Sequence, residues 1–294
     1  MSCTLCPRNC GVDRARGVGF CGVDDKIHIA KVMLHEWEEP CISGTRGSGA
    51  IFFSGCNLRC VYCQNIDISH EIRGECVDVR ALAHKMLELQ SQGAHNINLV
   101  TPTPYVDKIK SAIDLIRAEL KIPVVYNTGG YESAQVIRSL DGYVDIFLTD
   151  IKYFDSTLSQ KYSLAQDYYE VASDALEAML EIAPECVFDN DGIMQGGVIL
   201  RHLVLPSHRA DSIKILEDVA KRVDISALRL SLMSQYTPEF YCGEDKALRR
   251  RITTFEYQAV TERAIALGYD GYIQHRESAS SIYTPSFKGD RNED

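Results

Sequence analysis

Residues 55–65 read Gly55-Cys56-Asn57-Leu58-Arg59-Cys60-Val61-Tyr62-Cys63-Gln64-Asn65 and place three cysteines in eight residues, spaced Cys-x3-Cys-x2-Cys. Cysteine thiolates at such short spacings are typical ligands of iron–sulfur clusters. Three cysteines leave one iron of a four-iron cluster without a protein thiolate, and that iron can bind a small molecule. The alternatives are a zinc knuckle, which normally needs four ligands, or three unrelated core cysteines. The spacing therefore predicts a 4Fe–4S cluster on Cys56, Cys60 and Cys63.

The residues between these cysteines make the pattern more specific. Arg59 stands directly before Cys60, and the aromatic Tyr62 stands directly before Cys63. In these features the segment resembles the cluster loop of radical S-adenosylmethionine (radical SAM) enzymes. The resemblance implies that the open iron binds the amino and carboxyl groups of S-adenosylmethionine (SAM).

Composition limits the remaining possibilities. The chain has 294 residues, of which 45% are hydrophobic, enough for one large α/β domain and a small appendage. A net charge of −10 argues against nucleic-acid binding through a basic field. We expect no membrane span and no secretion signal, because there is no long apolar run and the start is not that of a leader. Eleven cysteines in such a chain indicate metal binding in a reducing compartment, so we predict a cytoplasmic protein.

A second set of cysteines lies at the start of the chain. Its spacing is Cys-x2-Cys-x3-Cys-x10-Cys, formed by Cys3, Cys6, Cys10 and Cys21. Four thiolates can close tetrahedrally around zinc or hold an auxiliary iron–sulfur cluster. The spacing predicts a second metal site and leaves both occupants open, with free thiols as the alternative.

The rest of the chain alternates between apolar runs and amphipathic segments. Strands are predicted at residues 50–53, 97–100, 123–126, 145–148, 198–205 and 228–233, and helices at 78–92, 105–120, 133–140, 168–182, 210–223 and 253–267. Such alternation predicts parallel strands joined by helical crossovers, here an open, partial (β/α)6 barrel of the α/β class. Three regions are expected: a cysteine-rich appendage and connector (1–45), the barrel (46–277) and a polar tail (278–294).

Polar residues follow the predicted strands, where barrels of this kind gather their reactive groups. Hydroxyl, amide and charged side chains at strand ends suit a zwitterionic sulfonium cofactor, although the same residue types also favour ordinary turns. Asp150 and Lys152 are two apart on one strand, so we expect both to face the cofactor. The predicted cofactor-binding residues are Thr101, Asn127, Asp150, Lys152, Arg201 and Gln235.

The order of these pieces resembles the pyruvate formate-lyase activating enzyme family. The resemblance rests on Asp150-Ile151-Lys152, on the Arg201-containing fifth strand, and on the order of the cysteine motifs and the segment 34–44. It implies a radical SAM enzyme that activates a glycyl-radical enzyme, with an electron donor of the flavodoxin or ferredoxin type. The chain departs from that family after the second strand, where Thr101-Pro102-Thr103-Pro104 replaces a Gly-Gly-Glu turn. The partner of the SAM amine is therefore open, with Thr101, Thr103 and backbone carbonyl groups as the candidates.

Two other functional hypotheses remain. In the first, the chain is a radical SAM enzyme whose hydrogen donor is a small molecule or a different peptide. In the second, the chain is not an enzyme but an electron carrier or a zinc module. A site with an open iron argues against a carrier, which gains nothing from it.

Several other residues are expected to have structural roles. For His35, Trp37 and Glu39 the alternatives are a place at the mouth of the cofactor site and packing in a connector, and packing is the prediction. The lone histidines are predicted to be structural. The remaining cysteines are predicted to be buried thiols. The histidines are His202 and His275, and the cysteines are Cys41, Cys76, Cys186 and Cys242.

Overall fold

The computed structural model describes residues 2–274. Within them a mixed sheet of ten strands forms the centre of the molecule. The strands are β1 (Ile27–His35), β2 (Ser48–Phe53), β3 (Glu75–Val77), β4 (Ile97–Val100), β5 (Val124–Thr128), β6 (Ile146–Asp150), β7 (Val187–Phe188), β8 (Met194–Leu203), β9 (Leu228–Met233) and β10 (Gly271–Ile273).

The strand order confirms the predicted open, parallel-stranded α/β architecture. The path across the sheet is β10-β9-β8-β6-β5-β4-β2-β1-β3, and all neighbours from β2 to β10 are parallel. The six predicted strands are therefore β2, β4, β5, β6, β8 and β9, in consecutive places. The sheet does not close on itself, because β10 and β3 end the path at opposite sides. The short parallel strand β10 was not predicted.

The longer helices cover the outer face of the sheet. Asp78 caps one of them as predicted, since its carboxylate accepts a hydrogen bond from the Ala81 backbone amide at 2.8 Å. The helices are α1 (Pro40–Ser43), α2 (Ile66–Ser69), α3 (Val79–Ser91), α4 (Val106–Ile116), α5 (Ala134–Arg138), α6 (Ser156–Ser163), α7 (Tyr168–Ile182), α8 (Arg209–Arg222) and α9 (Thr254–Leu267).

Part of the region predicted as appendage and connector belongs to the sheet. Strand β1 pairs antiparallel with both β2 and β3. Helix α1 then packs Cys41 and Ile42 against Val125, Leu148 and Ile199. These three strand residues lie two positions before Asn127, Asp150 and Arg201, so all six face the concave side of the sheet. The segment 34–44 therefore closes the concave side below the strand ends.

Two expectations from the sequence relate to the ends of the chain and to membranes. The predicted polar tail at residues 278–294 and His275 lie outside the described residues. Between residues 2 and 274, no helix combines the length and apolar character that a bilayer crossing requires.

Candidate active site

A cavity of about 240 Å³ lies at the carboxyl ends of the parallel strands. Its wall contains both groups of residues selected from the sequence, the cysteines of the 55–65 segment and the polar strand-end residues. The nine are Cys56, Cys60, Cys63, Thr101, Asn127, Asp150, Lys152, Arg201 and Gln235. The fold thus brings together every residue predicted for this site, from segments spread over nearly 180 residues.

Unusual backbone conformations shape the cysteine-bearing loop. Gly55 has φ of +83°, and a Cβ atom there would lie 2.3 Å from Val23 Cγ2 and 2.7 Å from the Cys21 carbonyl oxygen. Arg59 also has a positive φ, of 65°, which is rare for a residue with a side chain. The loop after β2 therefore turns tightly, with a glycine where the N-terminal segment leaves no room.

Each thiol of the loop receives a hydrogen bond. The Ser163 hydroxyl donates to Cys60 Sγ at 2.9 Å, and the Ser69 hydroxyl donates to Cys63 Sγ at 3.3 Å. A backbone amide reaches Cys56 Sγ at 3.4 Å. Donors around the sulfurs are typical of cysteines that ligate iron–sulfur clusters, where they tune the reduction potential.

The three thiols lie close to one another, with Cys60 buried and Cys56 and Cys63 half-buried. Burial raises the pKa of Cys56 to about 12 and that of Cys63 to about 11, and the neighbouring thiols add to the effect. Thiolates in such a place need positive charge nearby, which bound metal supplies. Among residues 2–274, no three His, Cys, Asp or Glu side chains are arranged to hold a metal ion. A four-iron cluster places each thiolate on a separate iron, so its three ligands need not converge on one point.

A network of charges stands opposite the thiols. Arg201 Nε donates to Asp150 Oδ1 at 2.8 Å, and Lys152 forms an ion pair with Asp150 Oδ2. Burial opposes ionisation of Asp150, but Arg201 and Lys152 outweigh it and hold its pKa below the usual range. Burial likewise opposes the charge on Lys152, but Asp150 and Cys60 outweigh it and raise its pKa. The cavity wall therefore carries fixed charges of both signs, as a zwitterionic ligand requires.

The segment 34–44 contributes to the wall, and sequence reasoning missed its most connected residue. Glu38 Oε1 accepts hydrogen bonds from Asn98 Nδ2 at 3.0 Å and Asn127 Nδ2 at 3.1 Å, and Glu38 Oε2 lies 3.4 Å from Arg201 Nη1. His35 and Trp37 also line the cavity, so the expectation of a purely packed connector was wrong for both. The reason is that antiparallel β1 ends beside the site and delivers the residues after it to the concave side.

Glu39 behaves differently from its neighbour. Its side chain is buried, and this burial raises its pKa, while Arg201 works in the opposite direction. Glu39 is therefore packed in the connector, as predicted.

A second carboxyl group that sequence reasoning missed is Glu132. It is fully enclosed and accepts hydrogen bonds from the hydroxyls of Thr103 and Thr128, and from the Tyr126 hydroxyl at 3.4 Å. Burial raises the pKa of Glu132 to about 7, although these donors lower it. Thr103 and Thr128 both line the cavity. The turn Gly129-Gly130-Tyr131-Glu132 after β5 was visible in the sequence and could have indicated this residue.

The other cysteines and His202 lie outside the cavity wall. Cys41 is buried as predicted, but Cys76 and Cys242 are exposed and Cys186 is half-buried, so the expectation of buried thiols was wrong for these three. Cys76 lies on the edge strand β3, and Cys242 on a surface loop. His202 is buried, and its Nδ1 lies 2.6 Å from the Ile151 carbonyl oxygen, as expected of a structural histidine.

Comparison with known families identifies the fold. The model of the Radical SAM superfamily matches residues 50–195, which include the cysteine loop and the strand ends up to β6. This chain belongs to the radical SAM superfamily. Radical SAM enzymes use a 4Fe–4S cluster and SAM for radical chemistry. An uncharacterized protein of Methanocaldococcus jannaschii is 30% identical to this radical SAM protein over 273 residues, which cover 90% of this chain and 74% of the relative.

Solved structures with a similar arrangement include three at low sequence identity. Methylornithine synthase is 14% identical with a TM-score of 0.43, and the match covers 71% of this chain and 59% of that one. The anSMEcpe structure with bound AdoMet is 13% identical with a TM-score of 0.45, at 75% and 61% coverage. SuiB of Streptococcus suis bound to S-adenosylmethionine is 10% identical with a TM-score of 0.47, at 77% and 52% coverage.

Proposed function

We propose that Cys56, Cys60 and Cys63 hold a 4Fe–4S cluster and that the adjoining cavity binds SAM for reductive cleavage. The supporting observation is the single cavity that unites these thiols with Asp150, Lys152 and the other strand-end residues. A 4Fe–4S cluster held by these three cysteines would supply the single electron needed for reductive cleavage of SAM to methionine and a 5′-deoxyadenosyl radical. The protein supplies ligands, orientation and exclusion of water.

The charges of the cavity can orient SAM by its amino acid end. Lys152 and Arg201 are the cations suited to its carboxylate, and Asp150 keeps both of them in place. For the ammonium group, we propose Thr103 and Thr128 as acceptors. Because Glu132 accepts the protons of both hydroxyls, each oxygen keeps a lone pair for a donor in the cavity, although the Thr128 oxygen also accepts from the Gly130 amide at 3.3 Å. Thr101, Asn127 and Gln235 offer polar groups for the nucleoside.

Replacement of Lys152 tests the carboxylate site. We expect Lys152→Ala to weaken SAM binding by about 10- to 100-fold, because a hydrogen bond to a charged group contributes about 1.5–3 kcal/mol. The measurement is a titration of the anaerobic, reconstituted protein with SAM. Lys161→Ala is the control, since Lys161 pairs with Asp245 at the surface. If Lys152→Ala binds SAM with unchanged affinity, Lys152 does not contact the carboxylate and is an ordinary turn residue.

Replacement of Thr103 tests the amine site. We expect Thr103→Val, which keeps the shape and loses the hydroxyl, to weaken SAM binding by about 10-fold. The matched control is Thr149→Val, since Thr149 is equally buried but lies next to Asp150 on the opposite face of β6. Equal losses of affinity in the two variants would point to a general packing effect and contradict the assignment.

The experiment that tests the function itself is anaerobic reconstitution with iron and sulfide, followed by SAM and dithionite. We expect methionine and 5′-deoxyadenosine in equal amounts. A reconstituted protein with a full complement of iron that leaves SAM intact would contradict the proposal and favour an electron carrier.

We further propose that the hydrogen donor is a glycine in a partner protein, a glycyl-radical enzyme. The proposal rests on the resemblance to activating enzymes and on the shape of the site. The sheet is open between β10 and β3, the segment 34–44 closes the concave side below, and Trp37 lies at the cavity wall with 58% of its surface exposed. A peptide loop entering from outside fits this opening. The electron would come from a donor of the flavodoxin or ferredoxin type.

The identity of the hydrogen donor can be tested with isotopes and electron paramagnetic resonance. The protein, SAM and a candidate glycyl-radical enzyme should give a glycyl radical signal on the partner. Deuterium transfer from a labelled small molecule into 5′-deoxyadenosine, without any partner, would replace the activase with the small-molecule alternative.

A further inference from the structure

The four N-terminal cysteines line one small cavity, separate from the candidate active site. Cys3, Cys6, Cys10 and Cys21 all contribute to its wall, although they span 19 residues. Asn57 and Thr103 belong to the walls of both cavities. The N-terminal segment therefore lies directly against the cysteine loop of the active site.

Backbone geometry brings the thiols toward one another. The Cys3 amide donates to the Val12 carbonyl oxygen at 2.9 Å, and the Gly11 amide donates to the Cys3 carbonyl oxygen at 3.2 Å, which joins the two ends of the first loop. A Cβ atom on Gly19 would lie 2.9 Å from Cys10 Sγ and 3.8 Å from Cys21 Sγ. A side chain at this position would meet the Cys10 sulfur, so glycine leaves the space beside these two sulfurs open.

The size of the cavity distinguishes the two occupants that the spacing leaves open. Its volume is about 20 Å³, and a single water molecule needs about 10–15 Å³ on this measure. One metal ion fits this space, whereas a cube of four irons and four sulfides needs several times as much. Four thiolates around one ion favour tetrahedral Zn²⁺ in a closed site. In residues 2–274 these sulfurs are not already arranged around one point, so binding would draw the four thiolates together, as metal binding does in other small cysteine-rich segments. We propose that Cys3, Cys6, Cys10 and Cys21 bind one zinc ion.

The proposed zinc site braces the cluster loop through Arg8, which lies between Cys6 and Cys10. Arg8 Nε donates to the Asn57 carbonyl oxygen at 2.8 Å, and Arg8 Nη2 donates to the Ser163 carbonyl oxygen at 3.2 Å. Ser163 is the residue whose hydroxyl donates to Cys60 Sγ. Zinc binding and local folding are coupled in small cysteine-rich segments, so the ion fixes Arg8 where it supports the loop.

Phe20, directly before Cys21, completes the brace. The Arg8 guanidinium lies 4.0 Å from the centre of the Phe20 ring, and Arg59 Nε donates to the Phe20 carbonyl oxygen at 3.1 Å. Arg59 is the loop residue with positive φ. Both arginines therefore connect the N-terminal segment to the loop between Cys56 and Cys63.

Metal analysis of a variant without the active-site cysteines tests the zinc proposal independently of SAM cleavage. We expect Cys56→Ser/Cys60→Ser/Cys63→Ser, purified anaerobically, to contain about one zinc per chain and no labile sulfide. Adding Cys10→Ser should remove the zinc, and adding Cys76→Ser, at an exposed cysteine outside both sites, should not. Iron with labile sulfide in the triple variant, or no metal at all, would overturn the proposal.

A second measurement needs no variant. Zinc-edge X-ray absorption on the intact protein should show four sulfur neighbours at about 2.3 Å, and nitrogen or oxygen neighbours would contradict the site.

The support that Arg8 gives to the loop is tested by Arg8→Ala, which should keep its zinc but hold several-fold less cluster iron after reconstitution and desalting. Arg16→Ala is the control, because its side chain is 87% exposed. Equal cluster iron in the two variants would overturn the bracing role.

Discussion

We expect Cys60→Ala to lose reductive cleavage of SAM completely, to a rate at least about 1,000-fold below that of the unaltered protein, equivalent to about 4 kcal/mol in the barrier. Cys60 lies between the other two thiols in the sequence and is the one that Ser163 contacts at 2.9 Å. Without its thiolate, one more iron loses its protein ligand, and the cluster is lost or fails to transfer an electron. Chromatographic detection of 5′-deoxyadenosine after anaerobic reconstitution measures the effect.

The control for this variant is a cysteine that touches the same loop. Cys242 Sγ donates to the Val61 carbonyl oxygen at 3.2 Å, and its backbone amide donates to the same oxygen at 2.9 Å. Because the backbone contact survives, Cys242→Ala should keep its iron and its activity. If Cys60→Ala cleaves SAM, or if the two variants lose activity alike, Cys60 is not a required ligand.

A large effect on stability is expected from Gly130→Ala. Gly130 has φ of +83°, and a Cβ atom there would lie 2.0 Å from the Asp150 carbonyl oxygen and 3.0 Å from the Tyr168 hydroxyl. That hydroxyl donates to the Asp150 carbonyl oxygen and accepts from the Lys152 amide at 3.1 Å. The turn at Gly130 and the Asp150 carbonyl group cannot move apart without displacing the end of β6. We therefore expect a loss of about 4 kcal/mol in the free energy of unfolding.

Gly142→Ala separates this clash from the cost of positive φ. Gly142 has φ of +73°, but no atom lies within 4 Å of a Cβ built there. Its replacement by alanine should lower the free energy of unfolding by only about 1 kcal/mol, which is the cost of holding a residue with a side chain at positive φ. Thermal unfolding should then show midpoints lowered by about 10 °C and about 3 °C respectively. Similar midpoints in the two variants would show that the turn after β5 relaxes, and that Asp150 and Lys152 are not held by this contact.

The fold and most of the candidate site were predictable from local patterns. Apolar runs located six parallel strands, and the residues after them proved to share one cavity. The reason is geometric, since parallel strands end at the same edge and any polar residue after them is brought there. Strand β1 was missed because its antiparallel pairing depends on β2 and β3, which lie later in the chain. Strand β10, only three residues long, has little pattern of its own.

Glu38 and Glu132 show where sequence reasoning ended. Glu38 is a carboxylate in an unremarkable sequence context, and only the glycine-rich turn before Glu132 pointed to the other; acidic side chains are normally solvated. Glu38 reaches Asn98, Asn127 and Arg201 only because β1 and α1 carry it across the concave face. Glu132 is enclosed only because the turn after β5 folds under Thr103. No local periodicity predicts contacts of this kind.

By itself the sequence determined the class of chemistry and the ligands predicted for it, because the spacing of Cys56, Cys60 and Cys63 is a local covalent property that survives any fold. It also determined the alternation of strands and helices, because hydrophobic periodicity is local. Only the tertiary structure decided the composition of the cavity wall and the separation of the second cysteine set into its own small cavity. The physical reason is that volume, burial and the pairing of buried charges depend on which distant segments meet, and the chain specifies these only when it packs.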